Sequence, residues 1–232
     1  MTTQPLKGVI FDMDGVILDS HSAHRRAWRE FLRSVGCKPS EEELDYILDG
    51  HKRDEILRYF LGDLSLQQVK EYGNRKDEML KRFSGGVQPV TGAVKLLCTL
   101  RDAGIRIALA TCAGRQRTQS ILADLDLLSY FDAVVTGDEV AAGKPDPSIY
   151  RLATKRMRKS PRHLIAVEDA VSGVQSARAA GIRCVGVATA ERAPALQAAG
   201  AYPVVPSLGY LSLSALKSAD SHSETPNRFP PG

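Results

Sequence analysis

Two aspartates, Asp12 and Asp14, stand directly behind the apolar run Gly8-Val9-Ile10-Phe11, and Gly15 follows the second. A short apolar run of this kind reads as a buried strand, so both carboxylates fall where the strand leaves its sheet. An Asp-Gly pair suits a turn, because glycine takes a positive φ at no steric cost. The same place is also where open α/β sheets hold their ligands, beyond the carboxyl ends of the strands. Three other clusters share it: Thr111 after the strand at 105–110, Lys144 beyond Ala133-Val134-Val135, and Glu168-Asp169 after the strand at 163–167. Several carboxylates, a hydroxyl and a lysine gathered at one edge need matching charge. A hard divalent cation such as Mg²⁺, which takes oxygen ligands, matches the carboxylates. A phosphoryl group matches the Thr111 hydroxyl and the Lys144 ammonium. Phosphoryl transfer needs mainly positioning and charge neutralisation, and a carboxylate can serve as its nucleophile. Taken singly, Thr111 reads equally as a helix cap and Lys144 as a solvated turn residue.

Placing four clusters on one edge requires a parallel sheet, and the chain supplies the alternation that builds one. From Val90 onward it reads as a helix over 91–103, a strand at 105–110, a helix at 115–125, a strand at 133–135 and a helix at 149–157. The strand at 163–167, a helix over 170–180, a strand at 183–187 and a weaker strand at 202–205 complete the series. Such alternation predicts a parallel sheet covered by helices on both faces. Residues 20–86 break it: Trp28, Phe31, Leu32 and Val35 recur at helical spacing, as do Ile56, Leu57, Phe60 and Leu61. This block reads as a helical insertion after the first strand, returning through Gly85-Gly86, with Trp28 in its core. The expected division is therefore a core of 1–19 and 87–217, an insertion of 20–86, and a disordered tail over 218–232, which is rich in Ser, Pro and Asn.

Composition narrows the function classes. The 31 lysines and arginines are scattered among 27 acidic residues, for a net charge of +4, with no basic stripe of the kind nucleic acid selects. No apolar run approaches bilayer length, so no membrane role is expected. The four cysteines show no metal-type pairing and read as reduced thiols. With Met1–Pro5 leading straight into the first strand, no signal peptide is expected, and the protein is predicted to be cytoplasmic.

Taken together, Asp12-Met13-Asp14-Gly15-Val16, the strand ending in Thr111, Lys144-Pro145-Asp146-Pro147, and Glu168-Asp169-Ala170 with Gly173 closely resemble the haloacid-dehalogenase-like superfamily. The resemblance runs from about Lys7 to Val205 and is closest to the helical-cap branch that contains β-phosphoglucomutase and many sugar-phosphate phosphatases. It implies an α/β fold: a Rossmann-like, three-layer parallel-sheet core with an inserted α-helical cap domain. It also implies that Asp12 is the nucleophile that becomes phosphorylated and that Asp14 is the general acid and base. Asp12, Asp14 through its carbonyl, Glu168 and Asp169 would hold Mg²⁺, and Thr111, the Cys112 amide and Lys144 would cradle the phosphate. In the cap it points to His24, Gly50, Arg53 and Lys76 as facing the substrate, although His24 also reads as a surface histidine and the two cations as solvated helix residues.

Two departures bear on the reaction. His21 stands where many phosphatases of this branch carry Glu, and Cys112-Ala113-Gly114-Arg115 replaces the Ser-Lys-Asn run with which β-phosphoglucomutase helps hold a second phosphate, leaving Arg115 as the candidate substitute. The resulting expectation is a Mg²⁺-dependent phosphatase of a small phosphorylated metabolite, most readily a sugar phosphate, acting as a monomer or weak homo-oligomer. The alternatives are a phosphomutase of the β-phosphoglucomutase kind and a non-catalytic phosphorylatable switch, the latter disfavoured because a switch needs neither a second aspartate nor a lid.

Overall fold

The run that opened the chain forms β1 (Gly8–Phe11), buried along its whole length, as a central strand of a parallel sheet must be. In the computed structural model, which describes residues 5–218, β1 is followed by α1 (His21–Ser34), α2 (Glu41–Ile47), α3 (Arg53–Leu61) and α4 (Leu66–Phe83). The alternating series then runs α5 (Ala93–Asp102), β2 (Arg106–Thr111), α6 (Arg115–Asp124), β3 (Ala133–Thr136), α7 (Ser148–Met157), β4 (Leu164–Glu168), α8 (Val171–Ala179), β5 (Arg183–Val187), α9 (Ala193–Ala198), β6 (Ala201–Val205) and α10 (Leu213–Ser218). The six strands lie in the order β3-β2-β1-β4-β5-β6 and every pairing is parallel. That order reverses direction between β1 and β4, and a ligand crevice opens at such a switch point.

Alternation along β1 divides the core into two layers. Val9 and Phe11 join Ile107 and Leu109 of β2 under α5, whereas Ile10 joins Ala108 and Ala110 under α7 and α8. The helical block carries a third apolar cluster of its own, built from Trp28, Phe31, Leu32, Leu44, Ile47, Ile56 and Leu57. The chain segments leaving and re-entering the sheet run side by side: Asp19 N–H donates to the Gln88 carbonyl and Val90 N–H to that of Ile17, both at 2.9 Å.

Register decides what meets at the carboxyl edge. Phe11 is paired with Leu109 on one side and Val167 on the other, so Asp12, whose N–H donates to the Val167 carbonyl at 3.0 Å, emerges beside Glu168. Three strands, β2, β3 and β4, end one residue beyond their apolar runs, because Thr111 still pairs with Thr136 and Glu168 with Gly186. The six-residue helices α9 and α10 are too short for a periodicity argument to find. Apart from Ser218, the expected tail lies outside the described residues. Among those residues no helix is long and apolar enough to cross a membrane, and all four cysteines are free thiols.

The loop after β2 is held by the turn after β3. Gly137 N–H donates to the Ala113 carbonyl at 3.0 Å, and a Cβ on Gly137 would overlap the Cys112 carbonyl. Because that neighbour is backbone and cannot swing away, Gly137→Ala is expected to destabilise the fold by ~1–3 kcal/mol, read as a lower urea midpoint at an unchanged m-value.

Candidate active site

Asp12 and Glu168, brought side by side by β1 and β4, are bridged by Lys144 from the loop between β3 and α7. Its Nζ lies 2.5 Å from Asp12 Oδ1 and 2.6 Å from Glu168 Oε1. The lysine is 1% exposed, so it is no solvated turn residue. Burial favours its neutral form, but Asp12 and Glu168 outweigh that and hold the ammonium charged, with its pKa above the ordinary lysine value. Tyr150 of α7 donates its hydroxyl to the same Glu168 oxygen at 2.5 Å. Burial, opposed by Lys144, raises Asp12 well above the usual carboxylate range, and Glu168 and Asp169 push it further in the same direction.

Asp12, Glu168 and Asp169 each offer a carboxylate oxygen, and these oxygens lie within 4.8 Å of one another. Three buried carboxylates thus face one ammonium, and Glu168 Oε2 is buried with no hydrogen-bond partner among the described residues. A deficit of positive charge together with an orphaned oxygen is what a hard cation relieves, so the donor set fits Mg²⁺. His21 Nε2 stands 3.1 Å from Asp169 Oδ2. Burial works against its charged form, yet Asp169 outweighs it and raises His21 above the ordinary histidine value. Thr111, at the end of β2, accepts the Ala113 N–H at 3.1 Å, which leaves its own proton to donate. The Cys112 thiol is pushed up to about 11 by burial, so it stays neutral beside this loop.

Asp14, two residues on from Asp12, has a different set of neighbours. Arg117 of α6 grips it with two hydrogen bonds, Nη1 to Oδ2 at 2.8 Å and Nη2 to Oδ1 at 2.6 Å. Ser20 donates its hydroxyl to Oδ1 at 2.5 Å, and His24 Nε2 is 3.4 Å from the same oxygen. Burial acts to raise Asp14, but Arg117 dominates the opposing charges and leaves it well below the usual range. Burial takes His24 down to about 4, so it faces Asp14 as a neutral imidazole.

The helical insertion closes a cavity of about 350 Å³ over these groups. Gly50, at φ +81°, comes so close to the core that a Cβ would lie 3.0 Å from Ser172 Oγ and 3.3 Å from Lys144 Cδ. Glu55 takes the Gly143 N–H at 2.9 Å and the Lys52 N–H at 2.8 Å, and Lys52 Nζ donates to the Val140 carbonyl at 3.0 Å. Ser172 donates its hydroxyl to the Asp49 carbonyl. Arg53 lines the cavity and is paired with Asp77. Lys76 is 4% exposed, lies 5.1 Å from the centre of the Trp28 ring and is 3.6 Å from Asp77. Trp28 belongs to the insertion's core as expected, while one edge of it also lines the cavity.

Arg115 apart, the structure gathers the sequence-nominated residues around this one cavity, since Asp12, Asp14, His24, Gly50, Arg53, Lys76, Thr111, Cys112, Lys144, Glu168 and Asp169 all line it. Arg115 does not take the place anticipated for it. It is half exposed and pairs with Glu139 at 2.8 Å, whereas Arg117 reaches the cavity. Residues two apart on a helix do not share a face, so only one of this pair can. A signal for Arg117 was available: two cations in the first turn of a helix oppose its dipole and need some other reason to be there. Ser20 and Tyr150 also escaped the motif reading because their partners are fixed only by the fold, and His21, noted there as a departure from the family pattern, acquires its partner Asp169 only in the structure.

The geometry agrees with comparison to known proteins. The family model for haloacid dehalogenase-like hydrolases matches residues 9–187. The chain is a haloacid dehalogenase-like hydrolase. It is 36% identical over 179 residues to the "Phosphorylated carbohydrates phosphatase" of Thermotoga maritima, an alignment covering 76% of this chain and 82% of that protein. It is 31% identical over 191 residues to the "Beta-phosphoglucomutase" of Bacillus subtilis, covering 78% and 83% respectively. Among solved structures, a mutant of CbbY from Rhodobacter sphaeroides in complex with xylulose-(1,5)bisphosphate superimposes with a TM-score of 0.79 at 26% identity, over 91% of this chain and 99% of that one.

Burial takes Lys76 down to about 8, so this hydrolase carries a cavity cation that is charged below that pH and neutral above it. Sulfate affinity, followed by calorimetry from pH 6.5 to 9.5, is expected to fall several-fold as pH rises through about 8. In Lys76→Arg, which stays charged throughout, the fall should disappear.

Proposed function

We propose that the protein is a Mg²⁺-dependent phosphatase of a small phosphorylated metabolite, a sugar phosphate in the first instance, working through an aspartyl-phosphate on Asp12. The observation that carries this reading is the buried Asp12–Lys144–Glu168 network opening onto a closed cavity that presents a second carboxylate, Asp14, in an opposite electrostatic setting. Their surroundings push the two carboxylates apart, Asp12 up and Asp14 down, which sets them different tasks, and attack by the Asp12 anion calls for the positive charge that a bound cation would supply. The phosphatase relative from Thermotoga maritima supports the same reading. In this proposal residues 20–86 act as a cap over a core of 1–19 and 87–217.

In the first half-reaction a carboxylate oxygen of Asp12 attacks phosphorus, the bond to the ester oxygen breaks, and Asp14 delivers a proton to the departing alkoxide. In the second, Asp14 takes a proton from water as that water attacks phosphorus, the bond to Asp12 breaks, and phosphate leaves. Thr111, the Cys112 amide and Lys144 hold the phosphoryl oxygens while charge redistributes. Asp12, Glu168, Asp169 and the Asp14 carbonyl would hold Mg²⁺, which when bound supplies positive charge against the carboxylates and the phosphoryl oxygens. The cap, latched through Glu55, Lys52 and Asp49, excludes bulk water and presents His24, Arg53 and Lys76 to the substrate.

Asp12→Asn should reduce phosphate release to background in a folded protein. Asp14→Ala should lower kcat by roughly two to four orders of magnitude with little change in Mg²⁺ affinity, whereas Asp169→Ala should weaken Mg²⁺ binding. Metal titration of the two variants checks the assignment, and the reverse pattern would exchange their roles.

The mutase relative supports a second reading, in which a sugar hydroxyl rather than water meets the aspartyl-phosphate. Ala113 and Gly114 supply no side-chain donor beside the cavity, and Arg115 turns to Glu139 instead. Given β-glucose 1-phosphate, a trace of the 1,6-bisphosphate and Mg²⁺, the protein is expected to form little glucose 6-phosphate. A panel of sugar phosphates should release free phosphate, and rapid isomerisation without phosphate release would establish the mutase.

A further inference from the structure

Gly73 lies in the middle of α4 and is buried. Glycine weakens a helix there, because it gives up the most backbone freedom on folding and packs no side chain, so some close approach has to justify it. The neighbour is Arg53. A Cβ at position 73 would lie 2.6 Å from Arg53 Nε, 2.7 Å from its Cζ and 3.1 Å from its Nη2, and no atom of another element stands closer. Gly73 thus opens a seat on α4 that the guanidinium fills, unlike Gly137, whose close neighbour is backbone.

Arg53 is the first residue of α3, where a cation opposes the helix dipole. Its guanidinium crosses instead to α4 and donates from Nη1 to Asp77. Asp77 follows Gly73 by four residues, one turn along the same helix face, so the seat and the anchor lie in line. Arg53 and Asp77 line the cavity, as do Lys76 of α4 and Asp54 of α3, and the seated guanidinium is therefore part of the cavity wall. Its side chain stays 38% exposed, which leaves donors for a ligand. An arginine has several rotatable bonds, and ordering them costs free energy at the moment of binding unless the fold has ordered them already.

We propose that Gly73 is a positioning residue that seats the Arg53 guanidinium in the cavity wall, so that the substrate meets an arginine already in place. The inference rests on the phosphatase reading above, in which Arg53 faces the substrate. The atoms that Gly73→Ala would displace are the far end of a flexible side chain, so the fold accommodates it, and the helix gains from losing a glycine. The effect falls on Arg53, which must leave the seat and its line to Asp77. Stability and recognition then move in opposite directions.

The test compares wild type, Gly73→Ala, Arg53→Ala and the double variant in the presence of Mg²⁺, on the sugar phosphate that releases phosphate fastest and on p-nitrophenyl phosphate. Gly73→Ala is expected to keep or raise the urea midpoint while raising KM for the sugar phosphate by roughly threefold to tenfold, the cost of ordering one freed side chain on binding, with kcat falling by less than about twofold. The rise for p-nitrophenyl phosphate, which has no sugar for Arg53 to meet, should be smaller. In the Arg53→Ala background Gly73→Ala should change KM no further, since the seat then has no occupant. An unchanged KM in Gly73→Ala, a loss that adds in full to that of Arg53→Ala, or a lowered midpoint that Arg53→Ala does not restore would each overturn the proposal. The Arg53 Nε–H resonance, assigned by its loss in Arg53→Ala, reads the seat without turnover: it should be sharp and slow to exchange in wild type, and broadened or shifted in Gly73→Ala. That change in a protein that releases no phosphate would keep the seat and remove the phosphatase reading. Phosphate release with both KM and the resonance indifferent to Gly73→Ala would do the opposite.

Discussion

Lys144 carries its ammonium to a point where 1% of the side chain meets solvent, between Asp12 and Glu168, and a charge so placed constrains most of what surrounds it. Desolvation alone would strip its proton, and two carboxylates arriving from adjacent strands in one register prevent that. Several local choices follow from the arrangement. Gly173 can bear no side chain, because a Cβ there would overlap the Glu168 carboxylate. Tyr150 spends its hydroxyl on the same glutamate, and Ser176 of α8 ties down the loop through the Asp146 carbonyl at 2.6 Å. Truncating one partner of such a buried set leaves the others uncompensated, at a cost of ~3–5 kcal/mol, so fold and site are hard to vary independently here.

The two aspartates that open the site are separated by one residue and by almost everything else. Asp12 lies on the strand axis among other carboxylates, and its surroundings favour protonation until more positive charge is present. Asp14, past the turn, lies under a guanidinium and a serine hydroxyl and favours the anion. A parallel sheet produces this contrast cheaply: the last residue on the strand axis is surrounded by neighbouring strand ends, while two residues later the chain has reached helix termini and the cap.

Legibility from sequence follows the same boundary. Asp12, Thr111, Lys144 and Glu168 were readable because each ends or follows an apolar run, and a parallel sheet leaves little freedom about where strand ends go. Arg117 was not, since its meaning depends on which side of α6 faces the cavity, and Arg115, two residues earlier, looked equally suitable. The strand ends at Thr111 and Glu168 were misjudged by one residue for a related reason: polarity marks the end of an apolar run, whereas backbone pairing marks the end of a strand. His24, Arg53 and Lys76 were nominated through family resemblance, and their sequence surroundings resemble those of any solvated helix. Lys76 shows how far that impression can mislead, because it is buried against Trp28.

The cap meets the core through the loop that carries Lys144. Glu55 reaches out of the first turn of α3 to accept the Gly143 N–H, and with its other oxygen it accepts the Lys52 N–H beneath its own helix. One carboxylate therefore completes the helix start and fastens the lysine loop. Gly50 reaches the same lysine from the preceding turn, at a φ of +81° that favours glycine and so close that a Cβ would press on Lys144 Cδ at 3.3 Å. A cap that swung away would withdraw Glu55 from Gly143 and Gly50 from Lys144 in the same motion, opening to water the ammonium that the site keeps dry. Because electrostatic interactions strengthen as water leaves, cap closure and the charge network on Asp12 reinforce each other, and the cavity acquires its chemical character only when both walls are in place.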